Sequence, residues 1–242
     1  MSKLILYDLP SKGRCTCWSL NPWKIRMALN FKGLDYQTDW IEYPDIVNRL
    51  SPHVPPNPPD DSPGYTKYSI PAMQFPDGSY VMESKSIAAR LEKEHPTPSM
   101  HLDSPLIEKV EKLIPPVAKA LIGELMPKVP TNVLNPTSKE YFERTRAERL
   151  GKPLDEFGKA MGGEEAWENA KPELKALGEA VEENGGPFVM GSTPSYADFV
   201  VVGLLQFYKV IDEKMFQRVV EIEPVLGKLY DASKPWLERD GH

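Results

Sequence analysis

Tyr68-Ser69-Ile70-Pro71-Ala72-Met73-Gln74-Phe75, then the turn-forming Pro76-Asp77-Gly78, then Tyr80-Val81-Met82-Glu83-Ser84-Lys85-Ser86-Ile87 is the stretch whose reading decides the fold. It predicts a hairpin, Ile70 to Phe75 against Ser79 to Met82. The second strand runs into a helix, Ser84 to Glu94, with Ile87, Ala88 and Leu91 on one face and Pro96 as its stop. Pro71 at the strand entry gives up one backbone donor. A cis bond there would turn the N–H and C=O of Ile70 outward for a guest. A helix opening at Ser84 offers free N–H groups to an anion. A peptide-like ligand bearing a carboxylate fits both features.

On the N-terminal side, Leu4 to Asp8 reads as a buried strand, and Leu9 to Ser19 as a loop broken by Pro10 and Gly13. A helix follows, with Asn21 as N-cap and Pro22 at the first helical position. It carries Trp23, Met27, Ala28 and Phe31 and stops at Gly33. Tyr36 to Trp40 is a short strand; from Pro44 to Tyr65 the chain is weakly helical, then proline-rich. Residues 1–96 therefore read β-α-β-loop-β-β-α, a thioredoxin-like α/β order distinct from a doubly wound sheet.

Residues 104–242 read as an all-α domain. Ser104-Pro105 opens a helix whose Leu106, Val110, Leu113, Ile114, Val117, Leu121, Ile122 and Leu125 recur at steps of three and four. Pro115-Pro116 should kink it. Thr137 and Glu140 fit a capping box, as do Ser195 and Asp198 ahead of the apolar run Phe199 to Leu205. A last helix spans Pro224 to Leu237.

The chain has 242 residues and a net charge of −6, with both signs interspersed. That argues against a nucleic-acid surface and for a soluble cytoplasmic protein. No apolar run approaches a membrane span, and the N-terminal apolar stretch is too short for a signal peptide. Cys15 and Cys17 are the two cysteines, and their C-x-C spacing fits neither a C-x-x-C redox motif nor a four-ligand zinc site.

Four features carry a resemblance over nearly the whole chain. They are Ile70-Pro71, Glu83-Ser84, the Ser195/Asp198 box, and Ser19-Leu20-Asn21-Pro22-Trp23-Lys24-Ile25-Arg26-Met27-Ala28-Leu29. In this order they resemble the cytosolic glutathione transferases. The last is similar to the serine-type motif S-x-x-x-W-[RK]-x-R-x-A-L of zeta-class and etherase-type enzymes. With the proline-rich insertion, it looks most like the fungal etherase-related class called FuA. The resemblance implies a homodimer that uses glutathione as co-substrate, with no metal. It implies attack of the glutathione thiolate on a hydrophobic, aromatic or phenolic electrophile, or ether cleavage or peroxide reduction, in xenobiotic detoxification. Two other readings stand beside it. One is a ligandin-type binding protein for plant or wood phenolics; the other is a glutathione-dependent disulfide reductase using Cys15 or Cys17.

A free thiol has a pKa of roughly 8.5, so a transferase must stabilise the thiolate. The resemblance gives Ser19 that role, at a helix start that favours negative charge. Pro22 removes a donor there, which points to the N–H groups of Trp23 and Lys24. Ile70 would pair its backbone with the cysteinyl unit of glutathione, in a geometry held by Pro71. Glu83 would meet the γ-glutamyl ammonium, and Ser84 its carboxylate. Tyr7, Cys17 and Asn21 are rivals for the sulfur, although Asn21 also suits a helix cap. Trp18, Trp23 and Trp40 could line an aromatic pocket or pack in the core. His53 and Lys67 fall where relatives contact the glycine carboxylate. The Ser195/Asp198 box reads as structural.

Overall fold

A computed structural model describes residues 3–59 and 65–241. The middle of the proline-rich stretch, residues 60–64, lies outside the described residues. The first half holds β1 (Leu4–Asp8), α1 (Leu20–Phe31), β2 (Tyr36–Trp40), α2 (Ile46–Leu50), β3 (Ala72–Gln74), β4 (Tyr80–Met82) and α3 (Ser84–Glu94). The strands form one sheet in the order β2-β1-β3-β4. β1 runs parallel to β2 with Leu6 opposite Thr38, and antiparallel to β3 with Leu6 opposite Met73. β3 pairs antiparallel with β4. This is the thioredoxin-like arrangement the hairpin predicts. β1 is central, so Leu4 and Leu6 are core residues.

The second half is helical: α4 (Pro105–Ala120), α5 (Ile122–Leu125), α6 (Lys128–Asn132), α7 (Pro136–Leu150), α8 (Leu154–Met161), α9 (Glu164–Glu182), α10 (Tyr196–Ile211), α11 (Glu213–Ile222) and α12 (Pro224–Ala232). α10 is its axis, apolar nearly all round and buried accordingly. Its start is fixed by Asp198, which accepts from the Ser195 N–H at 2.7 Å, the Ser195 hydroxyl at 2.9 Å and the Val189 N–H at 2.7 Å. α10 packs on α1 at Gly203, where an added Cβ would lie 3.1 Å from the Leu20 carbonyl oxygen. The glycine lets the two helices approach just beside Ser19. No helix among the described residues is long and apolar enough to cross a membrane.

Several expectations are corrected. α1 starts two residues earlier than expected: Ser19, not Asn21, is the N-cap, with φ −84° and ψ 139°. Pro22 then sits third in the helix, which costs nothing because first-turn N–H groups have no intrahelical acceptor. The predicted hairpin strand shortens at its front, since Pro71 has no N–H to pair and the ladder begins at Ala72. The long helix from Pro105 runs on through Pro115-Pro116 and breaks at Leu121, so Ile122 and Leu125 belong to a second helix. Thr137 is not a cap; Asn135 holds that position before Pro136. Its side chain donates to Glu42 Oε1 at 2.7 Å, joining α7 to the thioredoxin-like half. The last helix ends at Ala232, and Lys234–Trp236 form a separate 3-10 turn.

Candidate active site

The start of α1 is held from beneath. Arg26, one turn in, is fully buried with its guanidinium 2.8 Å from Asp8 Oδ2 and 3.1 Å from the Thr38 hydroxyl. Asp8 uses its other oxygen to accept the Leu9 N–H at 2.7 Å. The Arg26 guanidinium therefore ties α1 to the end of β1 by an ion pair and to the middle of β2 by a hydrogen bond. Trp23 adds an indole N–H bond to the Cys17 carbonyl at 3.1 Å. The C-terminal tail closes the same loop: the Cys17 N–H donates to the Asp240 carbonyl at 2.8 Å, and Arg14 pairs with Asp240.

Above this frame Ser19 is half-buried, and its hydroxyl makes no capping bond. The Trp23 N–H is already bonded to the Ser19 carbonyl at 3.2 Å. The first-turn donors left open by helix geometry are therefore Leu20 and Asn21, not Trp23 and Lys24. Asn21 is exposed, and its side chain is free for a ligand because it caps nothing.

The second wall is the front of the hairpin. The Ile70-Pro71 bond is cis. Among the described residues the Ile70 backbone has no hydrogen-bond partner. Glu83 ends β4 in the left-handed region, with φ 76°. Its carboxylate accepts from the Asn57 amide at 3.1 Å and from the Ser69 hydroxyl. No lysine or arginine among the described residues pairs with it. Ser84 is buried as the first residue of α3, whose opening N–H groups face no intrahelical acceptor.

Ser19, Asn21, Ile70 and Glu83 line one cleft of about 860 Å³. Pro71 and Ser84 stand behind that lining, buried. The third wall was not foreseen from sequence. It consists of Tyr43, Tyr141 and Arg146, with Ile46 and Val47 beside them. Tyr141 and Arg146 lie about a hundred residues from Tyr43, so only the folded chain brings them together. Asn57, in the proline-rich stretch, and Ser69, just before Ile70, carry no sequence signal of their own, being ordinary polar loop residues.

The tryptophans do not line this cleft. Trp18 and Trp23 are core residues; Trp18 packs on Phe207 and Tyr43. Trp40 lies over the Arg26 guanidinium at 5.4 Å. Apolar rings beside a buried ion pair exclude water from it, which explains their clustering in sequence. Lys67 lines the cleft, whereas His53 is outside that lining and stacks on Tyr80 with centroids 4.1 Å apart.

The rivals for the sulfur are poorly placed. Tyr7 is buried against Tyr80, and burial first, then its Tyr80 neighbour, pushes its hydroxyl pKa up. Cys17 is fully buried, and desolvation pushes its thiol well up. Neither touches the cleft. Among the described residues no group of three or more His, Cys, Asp or Glu side chains could hold a metal ion. A second cavity, of about 620 Å³ between α4, α8 and α9, contains none of these residues.

Two families match the chain: Glutathione S-transferase, N-terminal domain, over residues 18–94, and Glutathione S-transferase, C-terminal domain, over residues 107–235. Glutathione S-transferase-like protein ustS of Aspergillus flavus is 33% identical over 261 residues, covering 99% of this chain and 93% of that protein. The crystal structure of glutathione transferase GSTFuA3 from Phanerochaete chrysosporium superposes with a TM-score of 0.86 at 28% identity, covering 98% of each chain. GSTFuA2 from the same fungus gives a TM-score of 0.85 at 29% identity, covering 99% of this chain and 100% of its own. The glutathione S-transferase CsGST63524 of Ceriporiopsis subvermispora, solved in complex with glutathione, gives 0.80 at 25% identity, covering 97% of this chain and 98% of its own. The resemblance to the fungal FuA class read from residues 19–29 thus extends to the whole fold.

Proposed function

This chain belongs to the glutathione S-transferase family, and from that premise we propose that the Ser19 hydroxyl stabilises the glutathione thiolate for attack on a hydrophobic electrophile. The observation that carries this reading is the Ser19 hydroxyl itself. It stands on the cleft at a helix start, and no capping bond occupies it. The Ile70 backbone would receive the cysteinyl unit as a short added strand. The Glu83 carboxylate would take the γ-glutamyl ammonium, and the Ser84 end of α3 the γ-glutamyl carboxylate.

In the reaction the thiol S–H bond breaks and its proton passes to solvent. The sulfur lone pair forms a C–S bond, and the leaving group departs with its electron pair. Ser19 donates a hydrogen bond to sulfur before and during attack. Leu20 and Asn21 add the positive end of α1. The electrophile would rest on Tyr43, Tyr141, Ile46 and Val47, which suit an aromatic or phenolic body. Detoxification of such compounds, a cytoplasmic location, a homodimer, and a division at residues 1–96 and 104–242 complete the reading. The reductase alternative is disfavoured because neither thiol lines the cleft: Cys17 is fully buried, and Cys15 is half-buried with its thiol pKa pushed up by desolvation.

The test compares Ser19→Ala with Cys17→Ser. A hydrogen bond to an ionised group is worth about 1.5–3 kcal/mol. Ser19→Ala should therefore raise the pKa of bound glutathione by roughly one to two units. That shift is read from thiolate absorbance, and conjugation should fall tenfold or more. Cys17→Ser should change neither. An unshifted thiol pKa in the Ser19 variant overturns the assignment. Glutathione binding without turnover of any aryl or alkyl electrophile would favour the binding-protein reading.

A further inference from the structure

Arg146 is a cation that lines the cleft and has no counter-charge among the described residues. It lies on α7, half-buried, with its guanidinium 5.4 Å from the Tyr43 ring centroid and 4.5 Å from that of Phe142. Its hydrogen-bond partner is the neighbouring Thr145 hydroxyl, at 3.1 Å. Among the described residues no carboxylate pairs with it. Arg144, two residues away, shows the contrast: it points to solvent between Glu140 and Glu148, at 3.6 and 3.5 Å. Arg149, one turn on, is exposed and outside the cleft lining.

The platform beneath Arg146 is fixed. Tyr43 and Tyr141 stack at 6.1 Å with their planes 9° apart. The Tyr43 N–H donates to the Ser138 hydroxyl of α7 at 3.0 Å, and Ser138 in turn bonds Glu42. Burial pushes the Tyr43 hydroxyl up to about 12, so it stays a neutral donor at physiological pH. An aromatic face, a phenol donor and an arginine fork thus share one wall. A guanidinium presents paired donors that match a carboxylate.

We propose that the co-substrate carries a carboxylate on an aromatic body, and that Arg146 is the residue that selects it. This rests on the transferase reading above. It assigns the tripeptide's own carboxylates to the thioredoxin-like wall, where Lys67 lines the cleft and α3 begins. Arg146 belongs to the helical wall and serves the second substrate.

The experiment compares a chlorodinitrobenzene with the same ring bearing a carboxylate, in the native enzyme, Arg146→Gln and Arg146→Lys. Arg146→Gln should lower kcat/KM for the carboxylate, through KM, about tenfold or more beyond whatever it loses on the neutral ring. Arg146→Lys should recover part of the loss, because it keeps the charge without the fork. Equal losses on both rings overturn the proposal, as does a matching rise in the KM for glutathione. Calorimetric binding of dinitrobenzoate and dinitrobenzene, measured with glutathione present, gives a readout that needs no turnover. Tighter binding of the carboxylate, abolished in Arg146→Gln, sustains the site even if Ser19 proves not to be catalytic. Equal binding of the two rings overturns it whatever the rates. Unchanged melting temperatures of both variants exclude a folding effect.

Discussion

Three carboxylates sit at strand or helix ends in this molecule and meet three different fates. Asp8 closes β1, fully buried, with the Arg26 guanidinium 2.8 Å away. Asp198 opens α10, also fully buried, with hydrogen-bond donors but no cation among the described residues. Glu83 closes β4 at the cleft, exposed, held by an amide and a hydroxyl. The first charge is consumed by the fold, the second is tolerated by it, and the third is left over. A charge oriented by neighbours yet not neutralised is what a cationic guest needs. The wall that carries Ser19 thus has its charges satisfied internally, while Glu83 keeps a charge that the proposed ligand would meet.

The largest effect should come from breaking the first pair. Asp8→Ala strands the Arg26 guanidinium where water does not reach, and its Nε already lacks a partner. Removing one member of a buried pair costs about 3–5 kcal/mol. Urea denaturation should show a loss of that size, with glutathione affinity falling as α1 loosens. A loss under about 1 kcal/mol would mean that the pair does not hold the wall that carries Ser19.

Asp198 gives the next effect, through pH. Burial pushes its carboxyl up to about 6 against three hydrogen bonds that pull it down. The folded chain then binds this proton more tightly than the unfolded chain, whose aspartate titrates near 3.9. Its contribution is present below about pH 4 and is lost as pH rises toward 6, by up to about 3 kcal/mol. Asp198→Asn should remove that slope from unfolding free energies measured across the window. An unchanged slope would show that the three donors win and that the carboxyl is ionised throughout.

The sequence reveals these fates unequally. The hairpin, α3 and the Ser195/Asp198 box were legible because their signals are local: a turn tripeptide, a three-and-four periodicity, a cap spacing. The serine motif points to Ser19, yet proline's preference for the first helical position points to Asn21 as the cap, whereas Pro22 stands third, where a first-turn proline is also tolerated. Arg26 was visible as a motif letter, but not as a buried charge; a helix position reveals its partner only when β1 is packed beneath it. Tyr43, Tyr141 and Arg146 were not legible at all. Their juxtaposition depends on Glu42 bonding Asn135 and Ser138 across the two halves, a tertiary event with no sequence period.

Glu83 should give the smallest change in stability and is the sharpest control on the comparison. Its carboxylate is exposed and its hydrogen-bond partners Asn57 and Ser69 are half-buried, so Glu83→Gln keeps the shape and loses a charge that no internal cation needs. Unfolding free energy should move by less than about 1 kcal/mol. Glutathione affinity should instead fall about tenfold or more, since a charge-assisted contact to an ammonium is lost. A glutathione analogue lacking the γ-glutamyl amino group should bind native and Glu83→Gln proteins alike, because the carboxylate then has nothing to meet. If the variant unfolds as easily as Asp8→Ala while holding the tripeptide as well as the native chain, Glu83 is a structural charge like Asp8. The division between fold-satisfied and ligand-satisfied carboxylates would then be wrong.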